Sequence, residues 1–190
     1  FFEEEVMSLR DSAIVAYAET KVMEKSDRDV FVLIGEMLES LLDQTGIEKN
    51  EVDGLVVAGM TGTGAGNIFW PQTIADVLGL QVGFCEQVNI GGCSAAGCVV
   101  RAAAAIEYGL CDIAFLSFSD THVLEDKTDH THTYRREWTD PYGLMGPPGA
   151  FGLLSRAYEA KYGLDYRMLG KLAVTQRNHA IMNEHACEKL

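Results

Sequence analysis

Positive charge is scarce in this chain: 15 lysines and arginines stand against 28 acidic residues in 190, a formal charge of −13 at pH 7. Such a surface repels phosphate backbones and anionic lipid, which argues against nucleic acid and membrane surfaces as partners. A small anionic ligand remains acceptable, because a few local cations can hold one, although long-range attraction gives it no help. Long apolar runs are missing too, and none approaches the ~20 residues a transmembrane helix requires. The first residues lack the basic, apolar pattern of a secretory signal. The five cysteines, at 85, 93, 98, 111 and 187, are odd in number and show no paired spacing, so reduced thiols in a cytoplasmic protein are expected. With 47% hydrophobic residues the sequence is long enough for one substantial core.

Strand and helix signals alternate along the chain. Asp11 to Thr20, carrying Ile14, Val15 and Tyr17, reads as a first, partly buried strand. From Val30, apolar residues at 30, 33, 34, 37, 38 and 41 make a helical stripe behind the capping candidates Ser26 and Asp27. The short run from Asp53 to Gly59 reads as a strand covered on both faces. Pro71 sits where a first helical residue would, opening a helix to Leu80, and Phe84 to Ile90 supplies the next strand. An alanine-rich helix from Cys93 to Tyr108 and a strand from Ile113 to Phe118 follow. Residues 120–149 are polar, His-rich and punctuated by Pro and Gly, and two helices, about Ala150 to Tyr162 and Tyr166 to Asn183, complete the chain. Pro147 and Pro148 mark the boundary before the first of them. Strands alternating with helices predict a parallel sheet between helical layers, an α/β fold.

Several clusters invite chemistry. The glycine-rich stretch Gly59 to Asn67 does not match the spacing of a dinucleotide loop, and reads as a flexible loop that lets a ligand or neighbouring subunit approach. His130 and His132, with His122, Asp126 and Asp129 nearby, offer metal-ligand types without a visible third ligand at fixed geometry, so no metal is expected. Asp120 and His122 follow the end of a strand, where open α/β sheets build their sites, and are candidate catalytic acids or bases. The strand-to-helix turn Val88-Asn89-Ile90-Gly91-Gly92-Cys93-Ser94 brings backbone N–H groups of a helix start to a place where they can stabilise an oxyanion. Cys93 in that turn is placed to be a reactive thiol, although packing is the favoured reading of its role. Cys85, Cys98 and Cys111 read as core filler.

Residue by residue, this turn resembles the nucleophile turn of the thiolase superfamily, whose pattern is Asn-x-x-Cys-Ala-Ser-Gly followed by Ala-Ile-x-x-Gly near the helix end. Asn89, Ser94, Ala105-Ile106 and Gly109 fall on their counterparts, and Gly92 holds the position of the family's nucleophilic cysteine. Leu144-Met145-Gly146, a helix, and Leu169 to Ala180 with Asn183 resemble the family's Met-Gly segment and lid, with Leu144 where thiolases carry His. The lid segment Gly163 to Ala186, with Arg177-Asn178-His179-Ala180, looks most like the lipid-transfer or sterol-carrier branch, some of whose members are aldolases.

The resemblance implies a thiolase-like layered fold: a mostly parallel sheet with helices on both faces and a helical lid insertion. Residues 1–119 would form the core and 120–190 the lid and loop region, with the family's C-terminal half outside this sequence. It implies a carbon–carbon bond enzyme acting on a coenzyme A thioester as substrate, with no bound cofactor, most simply by retro-aldol cleavage of a steroid or other bulky β-hydroxyacyl-CoA. An acyltransferase using Cys93 and a non-catalytic acyl-CoA-binding subunit are the alternatives. Gly92, Cys93, Asp120 and His122 are then the catalytic candidates, and Asn89, Met145 and Gly146 would contact substrate. A homodimer through Phe84 to Ile90 and a zinc-ribbon, OB-fold companion protein are the partners implied.

Overall fold

The computed structural model describes residues 11–22, 28–58, 68–119, 138, 140–144 and 146–186. These fall into two compact units, one within residues 1–20 and 25–123 and the other within 21–24 and 124–190.

The first unit is organised by strand β1 (Gly54–Ala58), every residue of which is buried. It pairs in parallel with β2 (Phe84–Val88) on one side and β3 (Ala114–Ser117) on the other. Successive side chains of a strand point to opposite faces, so β1 serves two cores. Leu55 and Val57 pack with Val30, Ile34 and Leu38 of helix α1 (Val30–Thr45) and with Trp70, Ile74 and Leu78 of α2 (Trp70–Leu78). Val56 and Ala58 pack with Val88 and with Cys98 and Ala102 of α3 (Ser94–Glu107). Helices therefore cover both faces, and the uninterrupted apolar run of β1 follows from that burial. Each large aliphatic side chain so buried contributes roughly 1.5–3 kcal/mol of transfer free energy.

Asp53 ties the entrances of all three strands together. Its carboxylate accepts the Asp112 N–H at 3.0 Å and the Ile113 N–H at 2.9 Å. Its own N–H donates to Ile113 O at 3.1 Å, and its carbonyl accepts from Gly83 at 2.8 Å and Phe84 at 3.2 Å. With the entrances pinned, the parallel strands deliver their carboxyl ends to one edge of the sheet.

Three local expectations change. Residues 12–20 are irregular rather than a strand; Ile14, Val15 and Tyr17 are exposed, at 77%, 71% and 69%. An apolar run needs a paired neighbour to become a strand, and among the described residues the sheet is β2-β1-β3, with neither edge strand paired to this segment. The cap of α1 is Asp29, whose carboxylate accepts the Phe31 N–H at 2.8 Å. A side-chain cap must stand next to the first helical residue, one step before Val30; Ser26 and Asp27 lie outside the described residues.

The second unit contributes α4 (Gly146–Tyr162) and α5 (Tyr166–Met182). Here the third change appears: Pro147 and Pro148 lie inside the first turn of α4, where a missing N–H costs nothing, instead of before the helix. Gly163, at φ +76°, turns the chain, and Asp165 caps α5 by accepting the Arg167 N–H at 3.0 Å. The Glu159 carboxylate accepts from Arg156 at 2.5 Å and from the Tyr166 hydroxyl at 3.0 Å, linking the two helices. Phe151, Leu154, Tyr158, Leu164 and Leu169 line an open apolar groove between them of about 280 Å³. No helix among the described residues is long and apolar enough to cross a membrane.

Removing the Asp53 carboxylate leaves the Asp112 and Ile113 amides without their acceptor. Asp53→Ala is expected to lower unfolding free energy by about 2 kcal/mol, read from a urea midpoint shift at unchanged slope.

Candidate functional site

The turn between β2 and α3 is built from glycine, serine and close packing. After Val88 the chain passes Asn89 and Ile90 and enters a single 3-10 turn, Gly91–Cys93, that runs directly into α3. Gly91 has φ +66°, a left-handed conformation that side-chain-bearing residues adopt only at a cost. Ser94, only 1% exposed, closes the turn. Its hydroxyl accepts the Ile90 N–H at 3.0 Å and donates to Gly91 O at 2.7 Å. One turn further on, a Cβ on Gly97 would lie 2.9 Å from both Val88 Cγ1 and Ile90 Cδ1. Glycine there lets α3 rest directly on the strand end.

Gly92 differs from its neighbours. A Cβ built on it meets nothing within 4 Å, and its backbone is not left-handed. The place where a side chain could project is therefore open. Asn89, Ile90 and Cys93 line an open cleft of about 590 Å³, together with Glu86, Gln87 and the outer face of α3 as far as Arg101. Glu86 and Arg101 form an ion pair at 3.3 Å whose groups remain partly solvated, so it adds at most about 1 kcal/mol.

The cysteines separate by environment. Burial raises the pKa of Cys98, and the Glu86 carboxylate adds to the rise; burial alone raises that of Cys85. Cys111 is raised by burial first, then by Asp53 and Asp112. A raised thiol pKa means less thiolate at any given pH, so these three are poor nucleophiles. Cys98 and Cys111 are buried and Cys85 half-buried, in keeping with their reading as core residues. Cys93 is exposed in the cleft, against the favoured expectation that it packs inside. The reason is angular: α3 turns Ser94 inward, and a neighbour one step away points about 100° from it.

Of the residues expected to act, Asn89, Gly92 and Cys93 come together in this turn. Asp120, His122, Met145 and the glycine-rich stretch lie outside the described residues, as do His130 and His132; Gly146 opens α4 in the second unit. Among the described residues no group of three His, Cys, Asp or Glu side chains could hold a metal ion. The clamp made by Ser94 was not foreseen from the sequence. Its signal is a small polar residue opening an alanine-rich helix directly behind two glycines.

The two glycines should answer differently to substitution. Gly91→Ala is expected to destabilise the chain by about 1–2 kcal/mol, because a Cβ is forced into left-handed backbone. Gly92→Ala is expected to change stability by no more than about 0.5 kcal/mol either way, since the added methyl meets open space. Paired denaturation curves check both.

No protein-family model matches the chain. It is 26% identical over 188 residues to the steroid side-chain-cleaving aldolase of Thermomonospora curvata, an alignment covering 92% of this chain and 46% of that protein. It is 24% identical over 181 residues to an acetyl-CoA acetyltransferase of Methanocaldococcus jannaschii, covering 94% of this chain and again 46% of the relative. Among solved structures it matches one titled "Ltp2-ChsH2(DUF35) aldolase", with a TM-score of 0.68 and 25% identity, over 87% of this chain and 42% of that one. The chain thus spans just under half the length of the curated relatives it matches, and its similarity runs to aldolase- and acetyltransferase-type enzymes.

Proposed function

We propose that this chain is part of a coenzyme-A-dependent lyase of the thiolase superfamily, cleaving a steroidal or other bulky β-hydroxyacyl-CoA by a retro-aldol reaction. The observation that carries the reading is Gly92: in a strand-to-helix turn that resembles the family's nucleophile turn, the nucleophile's position opens on free space and bears no side chain. Similarity to proteins named as aldolases supports it.

In a retro-aldol step a base removes the β-hydroxyl proton, the bond between the α and β carbons breaks, and a ketone departs. The electron pair moves onto the thioester as an enolate, which then takes a proton at carbon. No acyl-enzyme forms, so no nucleophile is needed. The requirement is instead a donor aimed at the oxygen where charge develops. The Gly92 amide, at the start of a helix whose first N–H groups lack intrahelical acceptors, supplies such a donor, and the absent side chain leaves room for the thioester. Asn89 would orient the substrate from the cleft wall, and Met145 and Gly146 are our further candidates for substrate contact. Asp120 and His122 are our candidates for the base, with the carboxyl end of β3 as their point of departure.

Acyl transfer through Cys93 is the second reading, favoured by the exposure of that thiol in the cleft and by similarity to an acetyltransferase. On either reading the substrate is an acyl-CoA, no cofactor is bound, and the protein is cytoplasmic. A homodimer through Phe84 to Ile90 is consistent with β2 as an outer strand of the three-stranded sheet, since an unpaired strand edge invites a partner. That the solved relative is a two-component aldolase, Ltp2 with ChsH2, supports a companion protein, which we assign to the zinc-ribbon, OB-fold type.

The test is turnover of a β-hydroxyacyl-CoA, assayed with the companion protein present, to a ketone and a shortened thioester. Cys93→Ala is expected to alter kcat/KM by less than about threefold, since a residue outside the chemistry removes little transition-state stabilisation. Loss of activity in Cys93→Ala, accompanied by a covalent acyl adduct on the unmodified protein, would overturn the lyase reading in favour of transfer.

A further inference from the structure

Ser94 is one of two buried polar side chains among the described residues of the first unit, and the retro-aldol scheme gives it no part. It does not line the cleft, and its hydroxyl is engaged both as acceptor, from Ile90 N–H, and as donor, to Gly91 O. A hydroxyl so placed is no nucleophile. The two bonds instead hold the ends of the Gly91-Gly92 backbone, whose amide the proposed reading assigns to the thioester oxygen. Gly91 and Gly92 are adjacent glycines, the residue type with the greatest backbone freedom, and a Cβ at either would meet nothing within 4 Å. Apart from the Ser94 N–H, which donates to Gly91 O and closes the 3-10 turn, the hydroxyl bonds of Ser94 are what hold this segment. On one side the strand ends at Val88; on the other α3 begins at Ser94 itself.

The geometry points to Ser94 as the positioning residue of this turn: a hydroxyl clamp that keeps the Gly91-Gly92 backbone in one conformation, so that the Gly92 amide faces the thioester oxygen. The inference rests on the retro-aldol reading of the same turn. It also answers a problem which that reading creates. Replacing a nucleophile by glycine frees the backbone at the one place where an amide must be held in direction, and misdirection of a donor by even a small angle weakens stabilisation of the developing charge. Ser94 acts through the backbone of Gly91 and Ile90 and touches no reacting atom, so its removal is expected to act on kcat rather than on KM.

The full chain carrying Ser94→Ala tests this by two independent readouts. Amide hydrogen exchange at Ile90, whose N–H the Ser94 hydroxyl accepts, is expected to rise by about tenfold or more, with residues 98–105 of α3 unchanged, because the opening is local. Turnover of the β-hydroxyacyl-CoA is expected to show kcat lower by about tenfold or more and KM within about twofold, the pattern of an interaction felt only in the transition state. Ser94→Thr, which keeps the hydroxyl, is expected to recover protection and turnover. If Ser94→Ala fails to fold, Ser94→Cys keeps the volume and weakens both hydrogen bonds, and the same two readouts apply. Unchanged exchange at Ile90 overturns the clamp. Raised exchange with unchanged kcat, or a loss wholly in KM, overturns its part in catalysis. Absence of turnover in the unmodified protein defeats the retro-aldol reading itself, and the exchange measurement still decides the clamp.

Discussion

Burial of β1 on both faces is the constraint on which the first unit depends. Five consecutive residues, Gly54 to Ala58, have no solvent-facing side, so every backbone group of that strand must find its partner in β2 or β3. Parallel pairing on both edges is the outcome, with helices as the crossovers. Because Asp53 fixes the three strand entrances in register, the strand exits are fixed as well, and the β2 exit becomes a defined platform for a turn. The site is a consequence of the sheet.

On that platform the turn is held by close packing and by hydrogen bonds. Gly97 brings α3 close enough for the strand end to abut the helix start, and Ser94 joins the two by hydrogen bonds. A turn held in this way leaves the Gly92 side-chain position in open space beside a cleft that Asn89, Ile90 and Cys93 line. A thiol at Gly92 would be able to capture an acyl group, which hydrogen cannot; the proposed lyase reading asks only that the turn stabilise an enolate. On the proposed reading, the missing side chain at Gly92 is what separates lyase from transferase on this frame, while the exposed thiol of Cys93 stands one residue away.

Much of this was legible in the residues. The stripe at 30, 33, 34 and 38 marked the buried face of α1, and the glycine-bounded run at 54–58 marked a doubly covered strand, because period and burial leave direct traces in sequence. Legibility failed where the outcome depends on a partner. Ile14, Val15 and Tyr17 have strand composition, but strand formation is decided by whether a neighbour is available to pair. The direction of Cys93 depends on where a helix begins to within one residue, the least determinate property of a sequence. The Ser94 clamp depends on a short tertiary approach that composition does not record.

The most direct test of the account is to return the sulfur. Gly92→Cys, for which the structure shows open space, is expected to gain a covalent acyl group on incubation with an acyl-CoA, seen by intact-mass spectrometry and mapped to residue 92, while the unmodified protein gains none. An acyl adduct on the unmodified protein, mapped to Cys93, would contradict the claim that this turn works without a nucleophile.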